Sequence, residues 1–577
     1  MTAGRFAFVL HGHLPYVLGH GRWPHGSDWL CEAASETYLP LIAAVERLAG
    51  EGYHPKLTFG LSPILCEQLA DERFGEEFYR YLSEKQTAAH RDRDTFAAQG
   101  DEHFTGLAER WEQLYAETRD TFERLGGDII GRFRQLQDHG YLEIITCGAT
   151  HAYFPLLARD ETVSAQTKLA VENYRKHFGR PPRGIWLPEC GYRPAGPWSP
   201  PVMSGGLPER YHRKGIEEFL AENNLDFFVA DTAVFHAYQA TAGSAESSMN
   251  DLMRLQQGLL FSAEQHLQPA GDLPRHAYRV ASRSESSRPV AVFVRDPETG
   301  YMVWSGEHGY PGDAHYLEFH KKRTPGGLRY WSVTEPRGDL ADKQAYHPEP
   351  AAHRVHSHAA DFVARVTGIL TDYHARTAHP GLLVAPFDAE LFGHWWHEGP
   401  AFIEQTLRRF CEHDAVELTF LSESLDTDPP QETVELAEGS WGLGNHHLVW
   451  LNDDTEWTWR YIYTAETSMQ ELVQAWERIE TIRAGQAAEL IAQAARELML
   501  LAASDWQFLI SNGAARDYAE SRIDYHFTTF IRLAGMVAQV ADELPLSEEN
   551  ERWLRQCQAR DRVFAEIDPA MFLGVRR

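Results

Sequence analysis

The chain has 577 residues, more than one hydrophobic core ordinarily supports, so one large domain with smaller additions is expected. Its 83 acidic against 54 basic side chains give a formal charge of −29, which repels phosphate backbones and anionic lipid; nucleic acid and membrane surfaces are excluded as partners in favour of a neutral substrate. The six cysteines (Cys31, Cys66, Cys147, Cys190, Cys411, Cys557) lack CxxC spacing and read as reduced thiols of a cytoplasmic protein, without a zinc ribbon or disulfide framework.

The first apolar run, FAFVL at 6–10, is too short for a signal-peptide core or a membrane span, and it ends at His11. Four later runs share its form: LEIITCGAT ends at His151, GIWLP at Glu189, LDFFVA at Asp231 and GLLVAPF at Asp388. Unbroken apolar runs of this length suit strands buried on both faces of a parallel sheet. Helix-length segments lie between them, among them 35–49 and the charged stretch 104–136, so the pattern is βα alternation. Polar residues at successive strand ends favour a barrel, whose chemistry collects at the carboxyl ends of its strands.

Between the barrel pieces, residues 192–208 are too rich in Pro and Gly for regular structure, and 243–250 are small and polar. The expected division is therefore a catalytic barrel of 1–190 and 266–425, an inserted subdomain or lid of 191–265, and a helical C-terminal domain of 426–577. Two apolar stripes with helical spacing mark the last of these: Leu490, Ile491, Ala494, Leu498, Leu501 and Ile523, Phe527, Phe530, Ala534, Val537.

Glu189 and Asp388 are the leading catalytic candidates. Each carboxyl group follows a buried strand into apolar surroundings, Trp186, Pro188 and Cys190 for one and Phe387 with ELFGHWWH for the other, which penalise its charged form. Glycoside cleavage needs such a pair, one ionised and one protonated. The rival signal is His11-x-His13, whose alternate side chains face one way and suit a metal, with His151, Asp231 and His394 as nominees for further ligands. Trp304, Trp395, Trp396, Trp441, Trp450, Trp457, Trp459 and Trp506 lie mostly in Gly-, Asp- or Glu-rich stretches; aromatic faces with polar rims fit sugar rings. A noncatalytic glucan-binding protein is a third reading of the same features.

The motifs HGHLPYV at 11–17, WLPECGY at 186–192 and FDAELFGHWWHEGP at 387–400 resemble the signatures of glycoside hydrolase family 57. THAYFPLL, VWSGEHGYPGDAHYLEFHKK, EGSWG with VWLNDDTEW, and SDWQFLI resemble its 1,4-α-glucan branching enzymes, and the likeness runs from about residue 5 to about residue 530. The resemblance implies an α/β fold, an incomplete (β/α)7 barrel with an inserted helical subdomain and an all-helical C-terminal domain. It implies no metal and no cofactor. It assigns Glu189 as nucleophile and Asp388 as general acid/base, His11, His13, His151 and Asp505 to the donor subsite, and Trp304, Trp441 and Trp450 to substrate contacts. In this family branching is associated with a tyrosine at the tip of a flexible loop, for which Tyr238 is the candidate. The expected partner is an α-glucan such as amylose or a glycogen-like polymer, handled by a monomer. The same pair with water or a 4-hydroxyl as acceptor gives an α-amylase or a 4-α-glucanotransferase.

Overall fold

A computed structural model describes residues 2–235, 271–283, 288–305, 308–478 and 485–573. Tyr238 and the small-polar stretch 243–250 lie outside the described residues. Seven parallel strands form a curled sheet: β1 (Gly4–Gly12), β2 (Leu57–Leu61), β3 (Leu142–Cys147), β4 (Gly184–Trp186), β5 (Phe227–Ala230), β6 (Ala291–Val294) and β7 (Gly381–Asp388), in the order β7-β1-β2-β3-β4-β5-β6. Arg295, just past β6, bridges in parallel to Val384 of β7, and Asp296 N–H donates to Val384 C=O at 3.0 Å, which brings the first and last strands of that order together. Every residue of β2 to β6 is buried, because helices cover the outside and side chains fill the inside.

The strands end where their apolar runs end, so polar side chains collect at one mouth. His11 lies in β1 directly beside Asp388 in the register with β7. The expected helix at 35–49 is a π-helical turn, Ala34–Tyr38, continued by the helix Leu39–Gly50. The charged stretch at 104–136 is two helices, Glu102–Arg124 and Ile129–Asp138.

Two boundaries differ from the sequence expectation. The sheet passes through the expected excursion of 191–265, since β5 pairs with β4 and β6 inside it; an apolar run outweighs the loop-like composition on either side. The described residues on the amino side of β5 hold an antiparallel pair, Gly196–Trp198 with Tyr211–Arg213, and the short helix Ile216–Glu222. The second difference lies at 426–455. Thr433–Val434 pairs with Tyr278–Val280 at the edge of the sheet, and the loop after it reaches the mouth, so the helices of the C-terminal domain begin at Glu456–Arg478.

Both predicted apolar stripes lie on helices, Gln486–Leu501 and Arg516–Ala541, packed against each other. The short helix Asp505–Asn512 follows the first of them and points its amino end at the barrel mouth, where Ser504 N–H donates to His151 C=O at 3.1 Å. Among the described residues no helix is long and apolar enough to cross a membrane.

Candidate active site

Glu189 stands on a turn that L-residues rarely adopt. Its φ is 59° and that of Cys190 is 49°, and Cys190 N–H donates to Leu187 C=O at 2.8 Å to close the turn. Left-handed backbone at consecutive non-glycine residues costs energy and persists only where the surroundings over-determine it. Here β4 fixes one side, and Trp441 N–H donates to Glu189 C=O at 3.2 Å on the other. His151, with φ 57°, shares this strain at the end of the loop that follows β3.

The Glu189 carboxylate, with 15% of its side chain exposed, is held at both oxygens. Trp441 Nε1–H donates to Oε2 at 2.8 Å, and Ser504 O–H donates to Oε1 at 3.4 Å. Behind Ser504 runs a chain of imidazoles: His151 Nδ1 meets Ser504 Oγ at 2.9 Å, and His151 Nε2 meets His11 Nε2 at 3.1 Å. One direction suits every donor. His11 Nε2–H donates to His151 Nε2, His151 Nδ1–H donates to Ser504, and Ser504 donates to Glu189, leaving only His11 Nδ1 as a buried acceptor without a partner. The reverse direction would strand an N–H there and take the donor from Glu189. Burial pushes both His11 and His151 well below the usual imidazole range, which keeps them neutral as this wiring requires.

His13 is fixed between Ser62 Oγ at 2.9 Å and both oxygens of Asp505 at 3.0 Å, and its backbone N–H donates to Glu390 Oε1 at 3.1 Å. Its ring stacks on His151 with centroids 3.8 Å apart and planes 11° apart. His11 stacks in turn on Trp186 at 4.9 Å.

The two carboxyl groups differ in surroundings. Burial pushes Glu189 up to about 7, opposed by the Trp441 hydrogen bond and raised further by Asp505. Burial pushes Asp388 well above the usual carboxylate range, and the neighbouring Glu390 and Glu189 push it further, against the pull of Arg295. Glu390 is held by Tyr38, whose hydroxyl donates to its Oε1. One acid is thus served by neutral donors that favour its anion, while the other faces two carboxyl groups that favour its protonated form.

The structure brings together Glu189, Asp388, His11, His13, His151, Asp505, Trp304 and Trp441: Trp304 lies 6.0 Å from Trp441 and 6.2 Å from Phe387, centroid to centroid. Trp450 is a correction. It is 1% exposed, stacked on Tyr153 at 4.2 Å, and its ring lies 2.8 Å from where a Cβ on Gly442 would stand, so it buttresses the loop that carries Trp441 instead of facing a ligand. The rival metal reading nominates Asp231 and His394 as further ligands beside His11 and His13. Asp231 pairs with Arg295 at 2.7 Å and His394 with Glu36 at 3.1 Å. His13, His151 and Asp505 do present ligand atoms within 4.8 Å of one another. Stacked imidazoles have nearly parallel planes, however, and an ion in the plane of one ring lies out of the plane of the other. The sequence reading missed Ser504, Glu390, Tyr38 and Arg295. Two of them carried a signal, Ser504 as the neighbour of Asp505 in SDWQFLI and Glu390 as the second acid of FDAELFGHWWHEGP.

Residues 7–437 match the family model described as glycosyl hydrolase family 57, and residues 461–572 match the model described as 1,4-alpha-glucan branching enzyme, C-terminal. The chain is 38% identical over 565 residues to a 1,4-alpha-glucan branching enzyme of Thermococcus kodakarensis, across 98% of this chain and 78% of that protein. Among solved structures, a GH57-type branching enzyme of Pyrococcus horikoshii superposes with a TM-score of 0.86 at 36% identity, across 100% of this chain and 97% of the other. An alpha-amylase of Thermotoga maritima superposes with a TM-score of 0.78 at 26% identity, across 100% of both chains.

Proposed function

The chain belongs to glycosyl hydrolase family 57, and from that membership we propose that it is a retaining 1,4-alpha-glucan branching enzyme. In this reading ionised Glu189 attacks the anomeric carbon of an α-1,4 linkage while Asp388 gives its proton to the departing 4-oxygen. Asp388, now ionised, takes the proton of a glucan 6-hydroxyl as that oxygen displaces Glu189, so two inversions leave an α-1,6 branch. The single observation that carries the division of roles is the pair of donors, Trp441 and Ser504, on Glu189, set against the two carboxyl neighbours of Asp388. The ring of Trp304 beside Trp441 supplies an aromatic wall for a sugar face.

The product in this reading is a glycogen-like polymer made in the cytoplasm, a location that the free cysteines support. A second reading is favoured by the likeness to the Thermotoga maritima alpha-amylase: the same pair with water as acceptor. Proton NMR of amylose incubated with the protein separates the two. New α-1,6 signals in excess of new reducing ends are expected; reducing ends alone would assign hydrolysis. The proposed role of Tyr238 in that choice rests on its sequence position.

A further inference from the structure

Trp395 is 52% exposed, an unusual place for an indole, and it packs against Phe319 with centroids 4.4 Å apart and the ring planes tilted by 32°. The pair is not loosely held. Trp395 N–H donates to Glu390 C=O at 3.1 Å and Trp396 N–H to Leu391 C=O at 2.9 Å, which folds the loop back onto the residues that directly follow Asp388. Gly393 makes the turn: its φ is 117°, and a Cβ there would lie 1.8 Å from Glu36 C=O. On the other side of the loop, His394 N–H donates to Thr37 Oγ1 at 3.2 Å and its ring meets Glu36, while Arg329 donates to His394 C=O at 3.0 Å and pairs with Glu36 at 3.0 Å. Arg329 and Glu36 are both nearly buried.

Phe319 is partly buried, with Lys322 5.0 Å and Arg329 5.8 Å from its ring centre. Trp395 is the exposed member of the pair. An apolar ring kept in water on a loop clamped by a buried ion pair is preorganised for a ligand, because little freedom remains to be lost on binding. The loop continues from β7, which ends at Asp388, seven residues before Trp395. The alternating CH and OH face of a sugar ring is the surface that fits a bare indole.

We propose that Trp395, backed by Phe319, is a glucan-binding platform outside the cleavage site, on which a sugar ring of a long α-glucan chain stacks as the chain leaves the barrel mouth. The proposal rests on the function proposed above. Its occupant is the polymer, not a second copy of this chain.

Two measurements test it. Amylose titrated into the full chain carrying Glu189→Gln should bind about three- to tenfold more weakly when Trp395→Ala is added, with Trp395→Phe falling in between. In the unaltered chain, amylose should slow the oxidation of Trp395 by N-bromosuccinimide several-fold, read by peptide mapping, a result that needs no variant to fold. Unchanged affinity in Trp395→Ala, or oxidation indifferent to amylose, would overturn the platform. A loss of self-association in that variant at unchanged amylose affinity would overturn it too, in favour of a second copy. A Glu189→Gln parent that binds no amylose would instead strike the proposed function.

Discussion

The indole N–H of Trp441 donates to Glu189 Oε2 at 2.8 Å, and the backbone N–H of the same tryptophan donates to the Glu189 carbonyl. One residue of a loop that follows the barrel thus grips the proposed nucleophile at both its side chain and its main chain, 252 positions away in sequence.

Trp441→Phe keeps a ring but removes the donor. That hydrogen bond holds Glu189 below where burial alone would put it, so its loss should move the acid limb of kcat/KM to higher pH. A hydrogen bond to a charged group is worth enough to lower kcat/KM roughly ten- to a hundredfold below that limb. A pH–rate profile with an unmoved limb would separate Trp441 from the ionisation of Glu189.

Ser504→Ala breaks the chain between His151 and Glu189. A fall of roughly tenfold in kcat/KM is expected, recovered largely by Ser504→Thr, which keeps the hydroxyl. Failure of threonine to recover more activity than alanine would assign the site to packing.

Glu189→Gln should abolish turnover and also stabilise the protein in a pH-dependent way. The folded group sits at about 7, above the ordinary value of 4.5, so its contribution to stability is complete below pH 4.5 and is lost as pH rises through 7. A neutral glutamine escapes that loss. The melting temperature of the variant should match the parent near pH 4 and exceed it at pH 8, by the equivalent of about 1 to 3 kcal/mol. An equal difference at both pH values would contradict a buried, proton-binding carboxyl.

Asp388→Asn should lower turnover of natural glucans by roughly 10² to 10⁴, the usual worth of general acid–base assistance. A glucoside with a good leaving group should still load Glu189, giving a glycosyl-enzyme visible by mass spectrometry of the intact chain. A folded variant that never accumulates it would place the acid elsewhere.

The barrel was legible because burial on both faces leaves an unbroken apolar run, and the polar residue that stops the run is the one at the mouth. Glu189, Asp388, His11 and His151 were all found by that rule. Ser504 was not, because its meaning depends on a contact with a loop 353 residues earlier. Trp450 was misread for a related reason: a tryptophan among Gly, Asp and Asn can line a ligand or brace a loop, and only the stack on Tyr153 decides. Asp231 looked like a free strand-end acid because nothing in its neighbourhood of sequence announces Arg295.

The grip of Asp505 on His13 also bears on biosynthesis. The two residues lie 492 positions apart, so at about 5 to 20 residues per second roughly 25 to 100 s pass between their emergence from the ribosome. Between the completion of β7 at Asp388 and the emergence of Ser504, the sheet can assemble while the strained turn at Glu189 gains its outer supports one at a time, Trp441 first and Ser504 last. A nascent chain therefore lacks the full set of supports on Glu189 until Ser504 has been made.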